Sequence, residues 1–250
     1  MRIKSFFFLA LFCICIASAN GQEIAKKLPV NFLKTNITSI PLKNYSLQYE
    51  RVVKKKVSLA ISFRVMPTTG IPFKNLVLNA VGDDPDTKET IEKFRLSNFA
   101  ITPEVRFYLG KGHGKGFYIA PFYRYASFKT NDLRFTYSDG LGGEEEIGLS
   151  GKLTSHTGGL LFGVQYFLGR HFCLDWWILG PHIGVGQGDF IGTSSQPLTP
   201  TEQNDLRQQL NDLDIPLTHK TVNVNANGAS LKLDGPWGGV RAGLSVGVRF

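Results

Sequence analysis

The chain has 250 residues, of which 42% are hydrophobic, 12% aromatic and 19% charged, with a formal net charge of +8 at pH 7. Beyond the N-terminus no apolar run approaches the roughly 20 residues of a membrane-spanning helix, so the sequence gives no sign of helical spans. The positive charge comes with no recognition motif and no basic stripe interleaved with aromatics, so we expect no nucleic-acid partner.

The first 21 residues are typical of a secretory signal peptide. A basic start is followed by an apolar run over residues 6–16 and by small residues at Ala19 and Gly21. Cleavage after Gly21 would leave Gln22 as the first residue, and cleavage after Ala19 is the alternative. We therefore expect a signal peptide over residues 1–21 and one exported domain over residues 22–250.

Eight segments alternate apolar and polar residues with the period of two that indicates β-strands. In chain order they cover residues 32–40, 45–50, 56–65, 97–109, 116–128, 156–168, 172–187 and 240–250. The first alternates weakly, with Leu33 and Ile37 placed outward, and the last alternates strictly from Val240 to Phe250. The seventh changes phase, which predicts a β-bulge near Gly180.

The connections between these segments alternate in length. Those at 53–56, 110–116 and 169–171 are short, and those at 67–96, 129–151 and 188–235 are long. Outer-membrane barrels have short periplasmic turns and long extracellular loops. The pattern predicts an all-β fold, a closed antiparallel eight-stranded up-and-down transmembrane β-barrel, located in a bacterial outer membrane with both chain ends in the periplasm.

The two faces of the strands differ in the way such a barrel requires. The apolar face would contact outer-membrane lipid, and the polar face, rich in small residues and isolated charges, would fill an interior just wide enough for side chains. Aromatic residues near strand ends would form girdles at the membrane surfaces: Tyr45, Phe107, Phe117, Tyr125, Trp176 and Phe250. Because an unpaired strand edge is costly in lipid, residues 240–250 should pair with residues 32–40.

The stretch TSIPLKNYSLQYERVVKKKVSLAISF, residues 38–63, resembles a family of small outer-membrane proteins of the Bacteroidetes that is known only as a domain of unknown function. The layout is more broadly similar to OmpA-like and OmpX-like barrels. The resemblance implies an outer-membrane location and supplies no catalytic residues. Phe250 resembles the terminal aromatic by which the barrel-assembly machinery recognises its substrates, so we expect it to act as an insertion signal.

The charges on the inward face divide into two groups. One group is expected in the periplasmic half, where its members would pair and plug the interior: Glu50, Glu104, Arg106, Asp175 and Arg249. A second group in the extracellular half, Arg64, Arg124 and Arg241, has no acid on the strands at its level. Either loop acids such as Asp83 or Glu144–Glu146 fold into the mouth of the barrel and pair with these arginines, which we favour, or the mouth binds an anion.

The long loops carry weaker patterns. Thr199, Pro200 and Glu202 predict the start of a helix with a capping box. A second short helix is expected over residues 83–94, and a flexible tip over residues 140–151. The acidic loop residues match no defined calcium loop, so we expect no metal.

These patterns favour a structural or adhesive outer-membrane protein, porin-like in build, whose loops meet an unknown extracellular ligand. A narrow passive pore is the first alternative. A lipid-modifying enzyme is the second, and it is disfavoured because Ser155 and His156 have no third partner at a matching depth. We expect no enzymatic activity and no cofactor.

Overall fold

The computed structural model describes residues 31–80, 88, 91–138 and 143–250. The predicted signal peptide at residues 1–21, Asp83 and most of the predicted helix at residues 83–94 lie outside these residues, although residues 91–93 are helical. Within the described ranges no helix is both long enough and apolar enough to cross a membrane.

The described part of the chain is all-β, with two helices of seven or more residues in its connections. The strands are β1 (Asn31–Asn36), β2 (Tyr45–Lys54), β3 (Val57–Thr69), β4 (Leu96–Tyr108), β5 (Gly116–Ser138), β6 (Glu144–Leu168), β7 (Phe172–Thr193), β8 (His219–Asn225) and β9 (Gly228–Arg249). The helices are α1 (Lys74–Ala80) and α2 (Pro200–Asp212).

Eight strands form a closed antiparallel ring. Each of β1 to β6 pairs with the next strand along the chain, β7 pairs with β9, and β9 pairs back onto β1 from Phe32↔Arg249 to Asn36↔Ser245. The predicted pairing of the last strand with the first is therefore confirmed. The predicted count of eight describes the ring alone, because in the described part of the chain β8 is a ninth strand that pairs with β9 beyond the ring.

The predicted faces are confirmed. Leu47, Phe63 and Val248 are exposed on the outside, whereas polar side chains of the same strands are buried inside. The phase change in β7 is also confirmed, and its bulge lies at Ile178–Leu179, just before Gly180, where the pairing shifts by one residue against both β6 and β9.

The two ends of the ring differ. Connections at residues 55–56, 109–115 and 169–171 form the short-turn end, where Asn31 and Phe250 also pair. The other end, the long-loop end, carries residues 37–44 and 194–227 and the described residues of the 70–95 connection. β1 stops at Asn36 rather than at residue 40, because the Asn36 side chain accepts hydrogen bonds from Thr38 Oγ1 and Ser39 N and turns the chain.

Beyond the ring, the long strands continue as a folded unit that we call the loop module: the outer parts of β5, β6, β7 and β9, together with β8 and α2. The predicted loops at 129–151 and 188–235 are thus largely ordered, and the prediction of a flexible tip is wrong over residues 144–151, which belong to β6. α2 starts as predicted, with the Thr199 N-cap, Pro200 in the first turn and the Glu202 capping box. Leu206 and Leu210 of α2 are fully buried against Leu149 and Leu231, and together they belong to a hydrophobic core of the loop module.

Candidate functional site

The interior of the ring is filled in layers from the short-turn end upward. The lowest layer is apolar and consists of Phe32, Val52 and Cys173, with Phe167 stacked on Phe32 at a ring distance of 5.9 Å. Gly114 lies beneath it with φ +77, and a Cβ there would come within 2.6 Å of the Phe32 ring. The backbone turn therefore closes tightly over this layer, and only glycine fits.

The second layer is a buried charge cluster, whose core is Lys34, Gln48, Glu50, Glu104, Arg106, Gln165 and Asp175. Lys34 projects inward because Leu33 and Thr35 occupy the outward positions of β1. Its Nζ donates to Glu50 Oε2 at 2.5 Å, to Gln165 Oε1 at 2.7 Å and to Asp175 Oδ2 at 2.7 Å. Three donors therefore meet three acceptors, which satisfies an ammonium that water cannot reach.

Arg106 joins the carboxylates of the cluster to one another. Its Nη1 lies 2.7 Å from Asp175 Oδ2 and 3.1 Å from Glu50 Oε2, and its Nη2 lies 2.6 Å from Glu104 Oε1. Its Nη2 also donates to Gln48 Oε1 at 3.0 Å. Because the planar guanidinium offers five donors in fixed directions, one arginine can bridge carboxylates from three different strands.

Tyrosine hydroxyls complete the coordination of these carboxylates. Tyr108 Oη donates to Glu50 Oε1 at 2.6 Å, and Tyr118 Oη donates to Asp175 Oδ1 at 2.7 Å. The Arg106 guanidinium lies over the Tyr118 ring at 4.4 Å. The charge cluster is therefore saturated with hydrogen bonds as well as paired, which is the condition under which buried charges are tolerated.

Four of the five charged residues predicted for this network lie together in it: Glu50, Glu104, Arg106 and Asp175. Arg249 does not join them. It lies one layer lower, where its Nε donates to the Arg170 carbonyl at 2.6 Å and its guanidinium covers the Phe167 ring at 4.1 Å. The prediction for Arg249 is corrected because its position at the end of β9 brings it to the 169–171 turn.

Lys34 is the central member that sequence reasoning missed. The segment around Lys34 alternates weakly, so the pattern did not mark this lysine as a candidate. The outward placement of Leu33 nevertheless predicts that position 34 faces inward. Gln48 and Gln165 were likewise on the inward face and carried no charge to single them out.

Tyr108, Tyr118, Phe122, Leu161 and Trp177 pack together in a cluster that we call the aromatic layer. Its Leu161 and Trp177 lie nearer the long-loop end than Gln165 and Asp175 of the same strands. Arg241 lies against the aromatic layer, 4.5 Å from the Phe122 ring and 4.8 Å from the Trp177 ring. Its Nη1 reaches through to Glu104 Oε2 at 3.2 Å. The expectation that Arg241 has no strand acid at its level is therefore wrong, since a long side chain pairs across layers.

Above the aromatic layer is a cavity of about 270 Å³, which we call the arginine cavity. Arg64, Arg124 and Arg241 line it together with Trp177. Most of its other lining residues are hydroxyl or amide side chains: Asn36, Thr38, Ser39, Asn44, Ser46, Ser62 and Thr102.

Arg64 and Arg124 have only neutral partners. Arg64 Nη2 donates to Asn98 Oδ1 at 3.2 Å and its Nε is buried without a hydrogen bond, while Arg124 Nη1 donates to Thr102 Oγ1 at 3.3 Å. Within the described ranges no carboxylate lies at ion-pair distance from either arginine.

The loop acids favoured as partners for these arginines lie elsewhere or outside the described residues. Glu144–Glu146 belong to β6 in the loop module, where Glu146 Oε2 lies 2.5 Å from Arg134 Nη1, so the prediction that they fold into the mouth is wrong. Asp83 lies outside the described residues. The anion alternative for the arginine group is thereby strengthened.

The other candidate residues do not converge on a reactive site. Ser155 is buried inside the ring, whereas His156 is exposed on the outside, where its Nδ1 lies 2.5 Å from Tyr123 Oη. His182 faces inward edge-on to Phe122, and its Nδ1 is buried without a partner. In the described part of the chain no group of three or more His, Cys, Asp or Glu side chains is arranged to hold a metal ion.

The comparison with protein families assigns the chain. It belongs to a family of proteins of unknown function (DUF3575), whose model matches residues 6–196. No curated protein matches the chain at a significant level. The predicted membership of a family known only as a domain of unknown function is confirmed.

Proposed function

We propose that this chain is an integral outer-membrane protein whose ring is a transmembrane β-barrel with a closed interior, and whose loop module is a structural or adhesive element outside the cell. The saturated charge cluster, buried inside a ring with an apolar exterior, is the observation that carries this proposal. A soluble β-ring would bury its apolar faces and expose its polar ones, and here the arrangement is reversed.

The height of the apolar belt fits a membrane. Along β9 the outward residues are apolar from Val240 to Phe250. This interval corresponds to about 33 Å of extended strand, or about 25 Å across the bilayer at a tilt of about 40°. Exposed aromatic residues lie at both ends of the ring, with Phe117 at the short-turn end and Tyr45 at the long-loop end.

The resemblance of residues 38–63 to Bacteroidetes outer-membrane proteins supports the same location, with OmpA-like or OmpX-like barrels as the nearest architecture. The direct test is to separate the membranes of a bacterium that expresses the protein, in the absence of protease activity. We expect the folded protein in the outer-membrane fraction, migrating differently on denaturing gels before and after boiling. Recovery in the soluble fraction would contradict the proposal.

A closed interior favours a structural role over the alternative of a passive pore. Three carboxylates, Lys34 and Arg106 fill the section of the ring just above the apolar layer, with no exposure to solvent. Moving an ion past them would require breaking charge-assisted hydrogen bonds, which are roughly twice as strong as neutral ones.

Planar-bilayer recording tests this closure. We expect no stable single-channel steps from the purified protein, with a general porin reconstituted in parallel as the positive control. A double variant, Phe32→Ala with Arg106→Ala, removes side chains from two successive layers and should raise conductance. Stable steps from the unaltered protein would show that the interior conducts.

The loop module is suited to contact an external partner because it has a hydrophobic core of its own beyond the ring. Its core includes Leu149, Leu206, Leu210 and Leu231, all fully buried. Such a core presents fixed surfaces beyond the membrane, unlike a set of mobile loops.

An epitope inserted between Ala226 and Asn227, in the turn of the β8–β9 hairpin, tests the orientation. We expect an antibody to detect it on intact cells. The matched control is the same epitope between Lys55 and Lys56 in a short turn, which should be detected only after the outer membrane is permeabilised. The reverse pattern would refute the proposed orientation.

A further inference from the structure

We infer that the arginine cavity is a binding site for a phosphate group, carried either by a free anion or by a lipid headgroup. This inference goes beyond the structural and adhesive role proposed above and stands on different residues. The balance of charges inside the ring is its first support.

The charge cluster is neutral without help from Arg64 or Arg124. Its three carboxylates are matched by Lys34, Arg106 and Arg241, since Arg241 reaches Glu104. Arg64 and Arg124 therefore add two positive charges to the arginine cavity that no described carboxylate offsets. Two guanidinium groups facing one small polar space repel each other, and a dianion between them removes that repulsion.

The hydrogen bonds of the cavity are also incomplete. Arg64 Nε is a buried donor without an acceptor, although Arg64 Nη2 has one in Asn98. A buried donor that lacks a partner costs free energy, and the rest of a protein normally supplies the acceptor. An oxyanion seated beside Arg64 would accept from Nε.

The wall of the ring supplies an independent indication of a polar occupant. On its β1 side, β9 pairs with β1 through residues 245–249 and with β8 through residues 228–234. Among the residues that the structure describes, 235–243 have no strand partner on that edge, and Val240 and Ala242 line the cavity there. At membrane depth such an edge is tolerated only where it lines a polar, water-filled space. The same gap gives a headgroup a lateral route to Arg64 and Arg124.

Phosphate fits this site better than a carboxylate does. Guanidinium forks match phosphate oxygens in pairs, and a phosphate monoester carries nearly two negative charges at neutral pH. The hydroxyls of Ser62 and Thr102 can donate to the remaining oxygens. A volume of about 270 Å³ accommodates the group with room for a short substituent.

Calorimetric titration of the folded, detergent-solubilised protein tests the inference. The probes are inorganic phosphate, dihexanoyl phosphatidic acid and, as the uncharged counterpart, dihexanoylglycerol. We expect at least one phosphate probe to bind and dihexanoylglycerol not to bind. Binding of inorganic phosphate alone would identify a free anion as the source, and binding of phosphatidic acid alone would identify a headgroup. Binding of neither would overturn the inference.

Variants locate the binding. Arg64→Gln and Arg124→Gln should each weaken affinity by about 10- to 100-fold, the range expected for loss of a charge-assisted hydrogen bond. Arg124→Lys, which keeps the charge without the fork, should fall between. Lys232→Gln removes an exposed charge of the loop module and should leave affinity unchanged. Equal loss in Lys232→Gln, or no loss in the arginine variants whose gel migration shows them folded, would overturn the assignment.

Discussion

Replacing Lys34 by methionine removes one charge from the centre of the charge cluster while keeping a long apolar side chain. The Lys34 ammonium donates to Glu50 and Asp175, and both carboxylates have no solvent exposure. Truncating one partner of a buried ion pair typically costs about 3–5 kcal/mol, because the remaining charge stays buried without compensation. We expect Lys34→Met to lower the free energy of unfolding by that amount.

Urea unfolding in lipid vesicles, followed by tryptophan fluorescence and by gel migration without boiling, measures this change. The double variant Lys34→Met with Glu50→Gln removes a carboxylate as well and should recover about 0.5–3 kcal/mol, since the two residues are coupled. Lys232→Met, on an exposed part of β9, serves as the control and should change stability by less than about 0.5 kcal/mol. A Lys34→Met protein within about 1 kcal/mol of the original would refute the reasoning that these charges depend on one another.

Three further predictions concern the loop module and the packing of the ring. Thr199→Ala removes the N-cap of α2 and should destabilise the loop module by about 1 kcal/mol in hydrogen exchange, whereas Thr201→Ala, in the first turn of the same helix, should not. Leu206→Ala leaves a cavity in the core of the loop module and should cost about 2–5 kcal/mol there, seen as faster proteolysis at α2 while the gel migration of the ring is unchanged. Gly163→Ala places a Cβ 2.4 Å from Tyr118 Oη and should reduce the folded yield, whereas Gly110→Ala, which meets nothing within 4 Å, should not.

The ring was predictable from sequence because its strands expose apolar side chains on one face and bury polar side chains on the other, so apolar and polar residues alternate with a period of two. Val240 to Phe250 is the clearest example, and the pairing of its residues 245–249 with β1 was expected from the cost of an unpaired strand edge in lipid. The loop module was not predictable in this way. Beyond the ring, residues 144–151 of β6 are mostly glutamate, glycine and serine, and only Ile147 and Leu149 pack into the core of the loop module. Two apolar residues are too short an alternation to indicate a strand.

The interior was predictable only for residues whose charge marks them. Glu50, Glu104, Arg106 and Asp175 follow from their inward positions, whereas Lys34 lies in a segment of weak alternation. The pairing of Arg241 with Glu104 was not predictable from strand level, because an arginine side chain is long enough to cross the aromatic layer. Sequence spacing fixes where a Cα lies along a strand, and it leaves open how far a flexible side chain reaches.

The assignment of one strand face to lipid can be measured directly along β3. In a Cys173→Ala background, spin labels at single cysteines replacing residues 58 to 63 report accessibility to oxygen, which partitions into lipid, and to a water-soluble nickel chelate. Leu59, Ile61 and Phe63 should show high oxygen and low nickel accessibility, because they lie on the outward face, and Ser58 and Ser62 should not. Accessibility without a period of two, or lipid contact on the serine face, would contradict the account of this chain as a membrane barrel with a polar interior.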